Sequence, residues 1–457
     1  MFEKFSQLNL SKGFLNNLDS LGYEKLTPIQ SSSLPHILEG KDVIAQAKTG
    51  SGKTVAFSLP LVNKLDVKKY KIQTVVLAPT RELANQIAEQ IRKLSRHIHN
   101  VKVLTLCGGV PFKPQVASLA HGAHIVVGTP GRVLQHIFET KVDFSSVNSF
   151  VLDEADKMLD MGFYDDILKI VENIPKNRQT LLFSATYEKN IEELSKTVLN
   201  SPKFIQNESV HQENVINQKF YDLEEDYKTS FVPSLISSNN AKSVLIFCNT
   251  KIKCDELTND LLDIGLDVLT LHSDLDQRER DETIILFSNK SYPIMIATDV
   301  ASRGLDIDDI DLVINYDIAR DENVHTHRIG RTARAGKNGL AVSLVSSDEK
   351  WKTEVIEEKF GEISYQDIKE IEDDITFKID APFRAILILG GKKQKVRAGD
   401  ILGALTAGVG LNKNDIGKID ILDFVSYVAV KKEVLNKALN GLKKGKIKGK
   451  FFKVFEK

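Results

Sequence analysis

Apolar and polar positions alternate between two periods along the first two hundred residues. Short β-branched runs at 43–45, 75–78, 101–106, 125–128, 149–152 and 180–183 are apolar almost throughout, as strands covered on both faces are. The segments between them switch to helical spacing; across 82–97, Leu83, Ile87, Ile91 and Leu94 share one face. This alternation predicts a parallel sheet with helices on both sides. A more polar stretch, 201–215, opens at Ser201-Pro202 and reads as a linker. The alternation then restarts, with strand runs at 243–248, 268–271, 294–297, 312–315 and 339–345. A second α/β unit of similar size is expected, repeating the architecture of the first but not its sequence. Residues 361–380, acidic and mixed, read as a connection to a third unit. There, 384–389, 416–423, 426–430 and 451–455 read as strands and 400–407 and 432–442 as helices, in the order βαββαβ. The expected domain bounds are 1–205, 213–362 and 382–457.

Composition adds three points. With 42% hydrophobic and 27% charged residues over 457 positions, the chain has an ordinary soluble globular make-up. No apolar run approaches the ~20 residues that span a bilayer, and MFEKFSQLNL lacks the basic and apolar regions of a signal peptide. Cys107, Cys248 and Cys254 are scattered, which points away from a disulfide framework or zinc site and toward a reducing cytoplasm. Cys248, in an apolar run, is expected to be a buried structural thiol. Charge is uneven: residues 384–457 carry 17 basic and 6 acidic side chains, a net +11, against −1 for the whole chain. A basic domain on an acidic body suits an anionic polymer, and βαββαβ is the order of a small RNA-recognition domain.

The densest chemistry lies at AQAKTGSGKT, residues 45–54, between the first strand run and a helical stretch. A glycine-rich turn from strand to helix cradles phosphate with backbone N–H groups, aided by the helix N-terminus. Ala47, Lys48, Thr49, Gly50, Ser51 and Gly52 form the turn, with Ala47 where the full pattern has glycine. Lys53 can reach the outer phosphates and Thr54 can hold Mg²⁺. Downstream, SFVLDEAD sets two carboxylates at the end of a strand run, where a parallel sheet presents ligands. Asp153 is placed to hold Mg²⁺ through water, and Glu154 to take a proton from the attacking water. Nucleotide hydrolysis is the expected chemistry.

Asp153-Glu154-Ala155-Asp156, with further motifs in order, resembles the DEAD-box RNA helicases. The resemblance implies two tandem RecA-like parallel-sheet domains, α/β in class, plus a small α+β RRM-like C-terminal domain. GYEKLTPIQ, within residues 3–31, is similar to the adenine-reading motif. It implies that Lys25 lines the nucleotide site, that Gln30 bonds the adenine edge and that Phe5 stacks on the ring, a core contact being the other reading of Phe5. ATP is therefore the expected nucleotide. PTRELA, the Gly108-Gly109 pair and TPGR imply RNA-backbone contacts from Arg81, Gly109, Thr129 and Arg132. Ser184 and Thr186 of the SAT motif are expected to couple the carboxylate turn to the cleft through their hydroxyls. In the second unit the resemblance assigns Gln277, Arg280 and Thr298 to RNA, with Thr298 and Asp299 at a strand end facing it, and Asp306 to the ribose. HTHRIGRTAR, 325–334, spaces Arg328, Arg331 and Arg334 for one helix face. Arg331 and Arg334 are the expected arginine fingers. ATP held by the first unit and completed by the second would close the cleft on RNA and separate strands locally.

GGKKQKVRAGDILGAL, 390–405, resembles the C-terminal domain of the DbpA subfamily. This implies a hairpin of 23S ribosomal RNA as target and a role in large (50S) subunit assembly, with assembly intermediates as partners and no obligate protein partner. Read directly, Lys392, Lys393, Lys395 and Arg397 crowd one loop, and Lys443, Lys444, Lys446, Lys448 and Lys450 follow later; such clusters make binding steeply salt-dependent. Tyr427 can stack on a base or serve the core. The run 424–430 matches the aromatic RNP1 pattern poorly, so recognition by loops is expected. Two rival functions share most of these motifs: an ATP-gated RNA clamp that does not unwind, and a DNA helicase.

Overall fold

The computed structural model describes residues 2–47, 50–140, 142–206, 216–302, 310–332, 339–372 and 377–457. They form two units, one made of the residues before 207 and the other of those from 216 onward. The first unit carries seven parallel strands: β1 (Val43–Gln46), β2 (Thr74–Leu77), β3 (Val103–Leu106), β4 (Ile125–Gly128), β5 (Ser149–Leu152), β6 (Gln179–Ser184) and β7 (Lys203–Gln206). Their order is β3-β4-β2-β5-β6-β1-β7. Phe57, Ile87 and Phe183 fill the core on one face, and Leu77, Phe150 and Ile167 on the other. Because β6 lies between β1 and β5, the loops leaving these three strands open along one edge, the ligand edge of a parallel sheet.

β7 occupies part of the stretch expected to be a linker. Only Ile205 of its four residues is buried, so this edge strand has no apolar run to announce it.

The second unit holds two sheets. β8 (Ile216–Asp222), β9 (Val244–Cys248), β10 (Val268–Leu271), β11 (Ile294–Thr298), β12 (Leu312–Asn315) and β13 (Gly339–Val345) are parallel, in the order β10-β11-β9-β12-β13-β8. The polar β8 pairs with β13 along its full length and was not expected from its composition. Cys248 is buried, and the adjacent Cys254 thiol and burial both push its own thiol well above the ordinary range.

β14 (Phe383–Ile388), β15 (Ile416–Ile421), β16 (Ser426–Lys431) and β17 (Val454–Glu456) form an antiparallel sheet in the order β15-β16-β14-β17. Its helices are Ala398–Gly403, continued by a wider π turn over Ala404–Gly408, and Leu435–Lys444. They cover Ile386, Ile388, Val428 and Val430. Side chains alternate across a strand, so Ala385, Leu387 and Tyr427 face the other way. There they pack on Ile285 and Leu286 of the helix Gln277–Ser288 in the neighbouring parallel sheet's layer. Arg384 closes the seam: it pairs with Asp267, donates to the Ser291 carbonyl at 2.8 Å and lies over the Tyr292 ring. Lys457 pairs with Glu282. Tyr427 is therefore a core residue, 1% exposed. No helix among the described residues is long and apolar enough to cross a membrane.

Candidate nucleotide and RNA sites

β1 runs into a turn that ends at Gly52, the N-cap of the helix Lys53–Asn63. Gly52 has φ +93°, and a Cβ there would lie 2.6 Å from Gln30 Nε2. Only glycine serves this position. Gln30 spans the gap with both ends of its amide: Oε1 accepts from the Thr27 N–H at 3.0 Å and Nε2 donates to the Gly52 carbonyl at 3.1 Å. The adenine-motif glutamine thus braces the phosphate turn directly. Phe5 is 2% exposed and edge-on to Tyr23, a core contact in this structure, while Lys25 is exposed. Ala47 donates its N–H to Ser184 O at 2.9 Å. Gly50 has φ +82°, and Ser51 and Thr54 are half-buried. Lys48 and Thr49 lie outside the described residues.

Lys53 is 6% exposed, and among the described residues its ammonium has no hydrogen-bond partner. An unpartnered buried charge is costly, so the site favours an anion. Asp153, at the end of β5, is 2% exposed and accepts its neighbour's N–H, from Glu154, at 3.0 Å. Burial pushes its carboxyl up to about 6, against the pull of the Lys53 charge. A triphosphate would neutralise the lysine, and a divalent cation would restore the carboxylate. The donor set thus fits a nucleotide with Mg²⁺, which Asp153 and Thr54 would hold.

Glu154 stands in the left-handed region, φ +51°, as the N-cap of the helix Ala155–Asp160. That conformation is uncommon for a residue with a Cβ and marks functional turns. Its Oε2 pairs with the buried Lys157 ammonium at 2.8 Å. Asp156 Oδ2 accepts the N–H groups of Ala185 at 3.0 Å and Thr186 at 3.2 Å. For Ser184 this corrects the expectation of a link through the hydroxyl. Backbone amides join the SAT motif to the carboxylate turn, whereas the Ser184 hydroxyl is buried with no partner among the described residues. Neither Asp156 nor Lys157 received a role from the sequence. Their carboxylate and lysine identities were visible, but the partner amides were not.

Among the first unit's expected RNA residues, Gly109 is exposed and Arg81 and Thr129 are half-buried. Arg132 donates to the Val110 carbonyl at 3.0 Å and Gln115 Oε1 at 3.1 Å, bracing the loop after β3. In the second unit, Gln277 donates to Asp281 at 2.8 Å and Arg280 to the Ala301 carbonyl at 3.2 Å. Thr298 ends β11, half-buried.

Arg328 and Arg331 of the last motif do not share a helix face. The helix Glu322–Ile329 stops before Arg331, which is 6% exposed in the following turn, and Arg334 and Asp306 lie outside the described residues. Arg328 is 1% exposed and tied down. It grips both oxygens of Asp299 at 2.6 and 2.8 Å, the Asp317 carbonyl at 2.7 Å and Asn249 Oδ1 at 2.8 Å, and lies over Phe247. Asp299, expected to face RNA, serves this arginine.

In the antiparallel domain, Lys392, Lys393, Lys395 and Arg397 surround a turn pinned by buried Val396, and all four basic residues are exposed. The Lys392 and Lys393 N–H groups donate to the Leu422 and Asp423 carbonyls, both at 2.8 Å, clipping the turn to the β15–β16 hairpin.

Two parallel-sheet units with a phosphate turn, a DEAD carboxylate pair and a buried arginine motif define a DEAD-box helicase. The DEAD/DEAH box helicase model matches residues 27–194, the helicase conserved C-terminal domain model 227–336 and the DbpA RNA binding domain model 386–455. ATP-dependent RNA helicase DbpA of Escherichia coli (strain K12) is 45% identical over 452 residues, 98% of both chains. Its namesake in Bacillus subtilis (strain 168) is 36% identical over 98% of both. The solved structure of S. cerevisiae Dbp5 bound to RNA and ADP BeF3 is similar at a TM-score of 0.72 and 30% identity, covering 79% of this chain and 95% of that one. The chain belongs to the DbpA subfamily of DEAD-box ATP-dependent RNA helicases. It is an RNA-binding ATPase of RecA-like architecture with an appended RNA-binding domain.

Proposed function

We propose that the protein uses ATP hydrolysis to separate short RNA duplexes next to a 23S ribosomal RNA hairpin held by its C-terminal domain, during assembly of the large ribosomal subunit in the cytoplasm. Gln30 reads adenine, and Lys25 and Asp306 line the base and ribose. Lys53 and the turn 47–52 take the phosphates. Mg²⁺, held by Thr54 and Asp153, would supply charge neutralisation at the outer phosphates. Glu154, oriented by its left-handed backbone and by Lys157, accepts the proton of the attacking water. Arg331 and Arg334 stabilise the charge that develops on the transferred phosphoryl group, a role worth about 10³–10⁵ in rate in related reactions. Arg81, Gly109, Thr129, Arg132, Gln277, Arg280 and Thr298 grip RNA backbone and so carry no sequence preference. Ser184-Ala185-Thr186 couples hydrolysis to RNA through the Asp156 carboxylate. The free, buried cysteines suit a reducing compartment.

The observation that carries the targeting is the cationic turn, which bears four exposed basic side chains and is clipped to a hairpin by its backbone, in a domain of the DbpA RNA-binding type. The test is ATPase activity against the 23S hairpin, unrelated RNA and DNA, with duplex displacement measured alongside. The hairpin should stimulate most and DNA not at all. The variant K392Q/K393Q/K395Q/R397Q should lose the hairpin advantage and lower the salt dependence of binding by roughly one power of salt for each phosphate no longer neutralised. Equal stimulation by every RNA would remove the targeting, and ATP turnover without displacement would leave a clamp. Glu154→Gln should bind ATP and RNA but not turn over.

A further inference from the structure

The open face of a βαββαβ sheet is the usual place for bases to stack. Here that face is taken: Leu387 and Tyr427 are buried against Ile285 and Leu286. Yet the domain keeps two large aromatic rings in water. Phe424 and Phe451 are each 64% exposed, among the most exposed hydrophobic side chains described. Single exposed apolar side chains need no explanation. This pair differs because each residue is next in sequence to one that packs on the same dipeptide, and Phe451 also lies under a lysine.

Gly390-Gly391 is pinched from both sides. A Cβ on Gly390 would lie 2.4 Å from the Phe452 ring, and one on Gly391 would lie 2.3 Å from the Leu422 carbonyl and 2.7 Å from Asp423 backbone. Phe451 is the residue before Phe452, and Phe424 the residue after Asp423, so the two exposed residues stand on the chain segments that flank the glycine pair. The glycines lead directly into Lys392 and Lys393, whose N–H groups bond the same hairpin turn. On the other flank, the Lys446 ammonium lies 5.3 Å from the centre of the Phe451 ring, and Lys448 donates to the Lys395 carbonyl at 2.6 Å. Lysine is depleted at the cores of protein interfaces, which disfavours a protein partner on this end. Exposed flat rings in a segment rich in lysine suit single-stranded nucleic acid, whose bases stack while its phosphates meet ammonium groups.

We infer that Phe424 and Phe451 are base-stacking platforms on which the domain holds unpaired bases of its RNA, one on each side of the Gly390-Gly391 seat. Recognition thus moves from the sheet face to the sheet end, the face being spent on attachment to the helicase body. This rests on the RNA-targeting role proposed above for the domain.

The test is binding of the full-length protein, by fluorescence anisotropy, to a hairpin with an unpaired loop and to a blunt duplex of equal length. F424A and F451A should each weaken hairpin binding by roughly five- to a hundredfold, leave duplex binding within twofold and keep the salt slope. F424W and F451W should retain hairpin affinity. A thermal melt of each variant separates loss of stacking from loss of fold. Unchanged hairpin affinity in F424A/F451A, or equal losses on hairpin and duplex, would overturn the assignment. A wild-type protein that binds 23S and unrelated hairpins alike would overturn the targeting proposal alone, because the stacking comparison can be made on any looped RNA.

Discussion

Arg328 gives the sharpest separation between a catalytic and an architectural arginine. It belongs to the motif expected to meet the nucleotide, yet it is 1% exposed and fully engaged by its own unit. Its guanidinium joins the ends of three neighbouring strands: Asn249 after β9, Asp299 after β11 and Asp317 after β12. Replacing it by glutamine removes the fork and leaves Asp299, whose side chain is 17% exposed, without its cation. Breaking a buried pair costs about 3–5 kcal/mol. The partial exposure of Asp299 lets it rehydrate, so a cost near the lower end, about 3 kcal/mol, is expected. With a urea m-value of about 1–3 kcal/mol/M, that lowers the unfolding midpoint by roughly 1–3 M. Trp351, the chain's only tryptophan, lies in the second unit and reports its unfolding alone. Arg328→Lys, which keeps the charge but not the fork, should fall between. An R328Q protein with an unchanged Trp351 midpoint and abolished ATPase would refute the reasoning and return Arg328 to the phosphate.

Four other outcomes are expected. His325 is buried between Phe220 and Phe360; burial, then the Arg328 and Lys359 charges, lower its pKa from 6.5 to about 4. The unfolded chain binds the extra proton between these values, so the second unit should lose stability as pH falls from about 6.5 to about 4, on the order of 3 kcal/mol; a parallel pH dependence in His325→Gln, followed through Trp351, would count against this. Asp156→Asn removes a carboxylate that accepts two SAT amides and should cost the first unit about 1–3 kcal/mol. Ser184→Ala deletes a hydroxyl with no partner among the described residues and should change the melting temperature little; equal shifts in the two variants would show that the hydroxyl does the coupling. Tyr427→Ala should cost about 3–5 kcal/mol and speed hydrogen exchange in the helix Gln277–Ser288, whereas a stacking tyrosine would alter RNA affinity and leave exchange unchanged.

What could be read in the sequence follows from how each feature is encoded. Central strands such as β5 and β9 bury both faces and so appear as unbroken apolar runs. The edge strands β7 and β8 bury little and hid in polar segments. The phosphate turn and the carboxylate pair were legible because their chemistry dictates residue type at fixed spacing. Partners were not. Nothing along the chain says that Gln30 holds Gly52, that Asp156 meets backbone amides, or that Asp299 belongs to Arg328. Arginines three residues apart implied a shared helix face, but the helix ends at Ile329. Tyr427 alternates correctly for an exposed sheet face; only the packing of Ile285 and Leu286 against that face makes it core.

That packing also decides how the RNA-binding domain can be studied and what it can influence. Removing residues 382–457 would strip Leu387 and Tyr427 from Ile285 and Leu286 and leave Asp267 and Glu282 without Arg384 and Lys457. A truncated protein would therefore expose an apolar patch as well as lose a domain, so changes in its ATPase could not be read as loss of RNA targeting. Charge reversal confined to the 392–397 turn avoids this, because its basic side chains lie at the surface, outside the seam. The covered helix has a second property. Gln277 and Arg280 stand in its first turn, and Ile285 and Leu286 stand five or more residues on, about 7 Å along the axis from Arg280. One rigid element thus carries RNA-motif side chains at one end and the seat of the RNA-binding domain at the other.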